Sequence, residues 1–123
     1  MAELKLEGIE NLITEVEKLG QAGSRIENTA LKEAGEVVRQ AIEREAPQKT
    51  GTLKKSIKTS GVKGRDGGKR VGVGPGKEGW YGKFVEFGTV KMRANPFMSR
   101  GYETSKDEAL AAIERELKKG LGL

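Results

Sequence analysis

The chain contains no cysteine and no histidine. The first absence removes disulfide staples, thiolate nucleophiles and thiolate metal sites together. The second removes the commonest acid–base group of neutral pH and the commonest nitrogen ligand for metals. Aromatic residues are scarce too: three Phe, two Tyr and one Trp in 123 residues. No apolar run approaches the roughly 20 residues that a membrane-spanning helix needs. The first ten residues, MAELKLEGIE, are charged, so no secretory signal is expected and the chain reads as soluble and made in a cytoplasm. What remains open to catalysis is carboxylate chemistry, and the acids lie spread along helix faces instead of in pairs. The expectation is a non-enzyme with no cofactor and no metal.

What is present is concentrated. Five of the six aromatics (Trp80, Tyr81, Phe84, Phe87 and Phe97) fall within residues 80 to 98, WYGKFVEFGTVKMRANPFM. In a chain so poor in large apolar groups, burial in a core or an interface must centre there. Charge is uneven as well. From Pro47 to Arg70 eight basic residues face one acid, Asp66, a local +7 that leaves −2 for the rest of a chain of net +5. Such a window suits an anionic polymer or an acidic protein surface.

Periodicity gives the elements. Ile9, Leu12, Ile13, Val16 and Leu19 form one face of a short helix ending at Gly20. A longer helix is predicted from about Arg25 to Glu45, with Ala30, Ala34, Val37, Val38, Ala41 and Ile42 as its apolar stripe and Pro47 fixing its end. Leu53–Thr59, Lys69–Val73 and Gly82–Phe87 read as strands. Gly61–Lys69, with four glycines in nine residues, reads as a flexible hairpin loop. Structural turns are placed at Pro47-Gln48-Lys49-Thr50-Gly51, at Gly74-Pro75-Gly76 and at Gly88-Thr89. A last helix starts near Asn95-Pro96, good residues for a cap and a first turn. Its stripe is Met98, Tyr102, Ala109, Leu110, Ile113 and Leu117. Gly101, together with Ser105 and Glu108 as a second capping box, leaves one kinked helix or two. The expected fold is a single α+β domain, residues 1–123. A small antiparallel sheet of about three to four strands packs on a long helix and a C-terminal helix, in the order α-α-β-β-β-α.

Each candidate site has a functional and a plain reading. Lys49, Thr50, Gly51 and Lys54 have the composition of a phosphate-binding turn. Such a loop follows a strand and precedes a helix, the reverse of the order here, so a structural turn is the better reading. Lys63, Arg65, Lys69 and Arg70 suit phosphate contact, which with no aromatic among them would be blind to sequence. The plain alternative is a solvated hairpin tip that protects a sheet edge. Glu86 has no second carboxylate or nucleophile nearby. It reads either as simply exposed or as bonded to a Lys, an Arg or a backbone N–H, within the fold or across a subunit contact. Trp80 and Tyr81 read as lids on the core or as interface anchors.

Taken in order, these pieces resemble the head–tail joining or tail-completion (neck) proteins of long-tailed bacteriophages and prophages. The residues that carry the resemblance begin with the segments Ala46 to Ile57 and Val71 to Pro75. Tyr81, Phe84-Val85-Glu86-Phe87-Gly88-Thr89 and Ala94-Asn95-Pro96-Phe97-Met98 follow. The likeness spans about residues 28 to 115. It implies a structural virion protein, made in the bacterial cytoplasm and residing in the phage neck. There a ring of subunits, formed alone or on a template, would join the head connector to the tail tube or tail terminator. Trp80, Tyr81, Phe84, Glu86, Phe87 and Phe97 would then supply subunit contacts. Lys63, Arg65, Lys69 and Arg70 would face duplex DNA in the channel, and Pro47, Thr50, Gly51, Gly74, Pro75, Gly88 and Pro96 would shape turns. A free-standing, sequence-independent nucleic-acid-binding module is the alternative.

Overall fold

A computed structural model describes residues 2–5, 9–48, 51–64 and 68–123. Strand β1 (Ala2–Lys5) is followed by helices α1 (Glu10–Glu17), α2 (Gln21–Glu45) and α3 (Thr52–Ser56). Strands β2 (Ile57–Thr59) and β3 (Arg70–Pro75) come next, then a 3₁₀ turn at Lys77–Gly79 and helices α4 (Gly82–Phe87) and α5 (Phe97–Gly120). The fold is α+β, helices against an antiparallel sheet.

Two long helices make the frame. α2 buries Ala30, Leu31, Ala34, Val38, Ala41 and Ile42 along one stripe. It stops where expected, because Ala46 (φ −68°, ψ 140°) must be extended ahead of the Pro47 ring. α5 runs antiparallel to it, Gly101 lying against Ile42 and Gly120 against Ile26. Small residues on both helices bring the backbones close. A methyl group at Gly101 would lie 2.6 Å from Ile42 Cα, so only glycine permits this crossing. Phe97, Ala109, Ile113 and Leu117 complete the seam, fully buried. α5 is one unbroken helix. The second capping box is not formed, since the buried Ser105 hydroxyl donates back to the Gly101 carbonyl at 2.7 Å.

The sheet has the order β1–β3–β2, with both pairings antiparallel. Val73 pairs with Ala2 on one side and Thr59 on the other. Val71 and Val73 are buried, and Gly35 of α2 lets Thr59 and Val71 rest against the helix. Two of the three strands expected from sequence are therefore present, with altered ends. Leu53–Ser56 belongs to α3, which begins after Gly51 in a left-handed conformation (φ +77°). Gly74 and Pro75 are the last residues of β3, not a turn. The chain turns one residue later, where Gly76 N–H donates to the Ser56 carbonyl at 2.7 Å.

The third expected strand, Gly82–Phe87, is helical. Its Phe and Val residues favour a pleated surface, but such propensities yield to tertiary context. A helical turn here points Gly82 and Glu86 inward together, while Trp80, Phe84 and Phe87 face out.

On the solvent side of α2, Arg39 donates to both Glu36 and Glu43. Its hydrogen bond to Glu36 holds that carboxyl below the ordinary 4.5 and raises the guanidinium in return. Because the folded value is the lower one, this contribution is present above the ordinary carboxylate range. It is lost as pH falls through the lowered value. The Glu36 carboxylate is about half exposed, so solvent screens the pair and the effect is small.

Candidate assembly surface

The segment from Trp80 to Ser99 is built around one buried carboxylate. Glu86, on α4, accepts the backbone N–H of Met98 at 2.8 Å and that of Ser99 at 3.2 Å. It also accepts the Ser99 hydroxyl at 2.6 Å. Those amides are the unpaired donors of the first turn of α5, whose own N-cap residue, Pro96, supplies no side-chain bond. Glu86 therefore caps α5 from another helix, with its charge at the positive end of the α5 dipole. Asn95 N–H donates to the Val85 carbonyl at 2.8 Å, a second tie between α4 and the approach to α5. Gly88 (φ +78°) ends α4 where a methyl group would meet Ala94 N at 2.8 Å, so glycine is required for the chain to fold back.

The outcome is a rigid mount for exposed aromatics. Trp80 is 69% exposed, Phe84 40% and Phe87 76%. Their i, i+4, i+7 spacing puts them on one side of the α4 track. The Trp80 ring stands edge-on to Phe84 (6.2 Å) and to Tyr81 (5.9 Å), and Lys83 lies 5.3 Å over the Phe84 ring. Val90, fully exposed, and Met92 extend the apolar surface along the two-residue turn closed by Thr89 and Met92. Exposed large aromatics grouped in this way mark interaction sites on soluble proteins.

The expected contact set is thereby revised. Trp80, Phe84 and Phe87 lie at the surface, and Tyr81 is half-buried against the core. Phe97 is fully buried between the helices, and Glu86 is consumed by α5, so neither is available to a subunit contact within this conformation. Spacing alone hid this: a strand pattern sets Glu86 beside Phe84, whereas the helix separates them. Val90 and Met92 were missed because isolated apolar residues in a turn carry no periodicity.

The basic window divides as well. Lys63 and Arg70 are exposed and joined by reciprocal backbone hydrogen bonds of 2.9 Å at the base of the hairpin. Lys69 turns the other way. It is buried, and its ammonium donates to Ser24 Oγ at 2.7 Å, Asn28 Oδ1 at 3.0 Å and the Ser24 carbonyl at 3.3 Å. It pins the hairpin to α2 and does not face a channel. Lys69→Ala should accordingly lower stability by about 1–3 kcal/mol through the orphaned oxygens. Lys63→Ala should cost less than about 0.5 kcal/mol. Urea midpoints of the two variants measure this, and equal losses would contradict it. Arg65, and the turn residues Lys49 and Thr50, lie outside the described residues. Pro47 and Gly51 act at the turn as expected, and Pro96 stands at the start of α5.

Among the described residues no group of three or more His, Cys, Asp or Glu is placed to hold a metal ion. No helix among them is long and apolar enough to cross a membrane. The family model described as "Bacteriophage HK97-gp10, putative tail-component" matches residues 10–88. The chain belongs to this family. The matched stretch runs from α1 through β2, β3 and α4, and so includes Trp80, Phe84, Glu86 and Phe87. Membership of the HK97-gp10-like family bears out the resemblance to phage head–tail proteins and makes the chain a structural phage protein that works with other phage proteins. Neither the curated proteins nor the solved structures gave a match.

Proposed function

We propose that this HK97-gp10-like protein is a ring subunit of the phage neck, joining the head connector to the tail tube around the DNA channel. The observation that carries the reading is the exposed Trp80–Phe84–Phe87 face, held stiff by the Glu86 cap. A soluble chain with six aromatics that leaves three of them open has a surface suited to burial by a neighbour. Repetition of one such contact around an axis builds a ring. The exposed Lys63 and Arg70, with Arg65 between them in sequence, are the basic residues assigned to the channel, acting weakly and together on passing phosphates. The sequence-blind nucleic-acid module is less favoured, because Lys69 is consumed inside the fold.

Electron microscopy of particles made with and without the gene tests the neck assignment. DNA-filled heads and separate, complete tails are expected when the gene is missing. Normally joined particles would overturn it.

A further inference from the structure

We propose that the aromatic face of one copy docks on the outer face of α5 of a second copy, centred on Leu110. This deepens the ring reading and rests on it. Two surfaces of the same chain fit each other in shape of charge. The first has an apolar centre of Trp80, Phe84 and Phe87, and its exposed charges are Lys77, Lys83, Lys91 and Arg93 against Glu78 alone. The surface is this basic because the carboxylate of Glu86 is withdrawn into the cap of α5.

The second surface lies on the side of α5 away from α2. Positions 103, 107, 110 and 114 recur at i, i+4, i+7 and i+11 and share one helical face. They are Glu103, Asp107, Leu110 and Glu114, all exposed, with exposed Ala111 beside Leu110. From Glu103 to Glu114 the helix carries four acids and one base, Lys106. The bonds of Lys106 to Glu103 and of Lys118 to Glu114, each 2.9 Å, are solvent-exposed pairs that exchange partners at little cost. An apolar centre with a basic rim thus faces an apolar centre that is acidic along Glu103, Asp107 and Glu114, with Arg115, Lys118 and Lys119 marking its far border, the arrangement that steers and registers a protein contact.

A second copy is the occupant these charges select. Aromatic face on aromatic face would bring four bases against four, a like-charge juxtaposition that costs affinity. Because the two surfaces differ, the contact is head-to-tail, the kind that closes rings. In size, the three aromatics expose on the order of 400 Å², taking about 200 Å² per residue. That is near half of the roughly 800 Å² each partner gives a stable interface, and Val90, Met92 and the charged rims lie next to it to supply the rest.

The cysteine-free background makes the test direct. Lys91→Cys and Leu110→Cys, each as a single variant of the full chain, are mixed under mild oxidation, which captures even weak encounters. The mixed disulfide should exceed either homodimer about tenfold. Random collision would give only twice either one, and that result overturns the docking. A charge exchange adds a second readout. Lys83→Glu/Lys91→Glu/Arg93→Glu and Glu103→Lys/Asp107→Lys/Glu114→Lys should each lose self-association in sedimentation, and their mixture should regain it, since both alternating contacts again pair opposite charges. Loss without regain would also overturn the docking. If particles lacking the gene show unjoined heads while the disulfides form at random, the neck reading stands and the docking on α5 falls.

Discussion

Replacing Glu86 by alanine is expected to cost about 3 kcal/mol of folding stability. Two backbone amides and one hydroxyl lose a charged acceptor, and bonds to charged groups contribute about 1.5–3 kcal/mol each before relaxation. Some of that loss is recovered, because α5 begins near the surface and water reaches part of the freed first turn. Glu86→Gln should lose about half as much: the amide oxygen still accepts one N–H, but the charge at the helix terminus is gone. Urea unfolding reads both, with an unchanged slope marking a true stability change. A loss below about 1 kcal/mol for the alanine variant would show that α5 does not depend on this cap. The same variant should loosen the mount of the aromatic face, since the cap is what couples α4 to α5.

Gly101→Ala is expected to be nearly as damaging, about 2–4 kcal/mol, although alanine is the better helix former by about 1 kcal/mol. The added methyl group would meet Ile42 at Cα (2.6 Å), Cγ1 (2.7 Å) and N (2.8 Å). Two of those atoms are backbone, so α2 and α5 must separate to admit it, and overpacking of this kind costs about 1–3 kcal/mol before any loss of neighbouring contacts. Gly120→Ala is the control within the same helix pair. Its neighbours are side-chain carbons of Ile26 and no backbone, and it is the exposed last residue of α5, where the helix end can give way, so its cost should be smaller. Thermal or urea unfolding of the two variants decides the matter. Equal midpoints would mean that the close approach at Gly101 does not set the helix spacing.

Sequence periodicity was a good guide where one element buries one stripe against a neighbour. α2 and its stop at Ala46 follow from an alanine-rich stripe and Pro47. Gly20 (φ +62°) parts α1 from α2, near the expected end of the first helix, whereas Gly88 (φ +78°) closes a helix where the end of a strand was expected. It failed where tertiary contacts outweighed local preference. The run Phe84-Val85-Glu86-Phe87 has strand composition, yet a helix alone brings Glu86 to the start of α5 and keeps three aromatics together outside. β1 carried little signal, because Ala2 and Leu4 alternate with charged Glu3 and Lys5 over only four residues, too short a stretch to establish a period of two. The inward turn of Lys69 had no local signal at all. Its partners, Ser24 and Asn28, are more than 40 positions away, and only the folded chain brings them near.

Sedimentation of the wild-type chain beside Trp80→Ala/Phe87→Ala, over a wide concentration range and at low and high salt, tests most directly that the aromatic face is the assembly surface. The wild type should associate and keep most of that association in high salt, because apolar burial is not screened. The double variant should remain monomeric with an unchanged urea midpoint, since both rings are largely exposed in the single chain. Identical sedimentation of the two proteins would contradict the account.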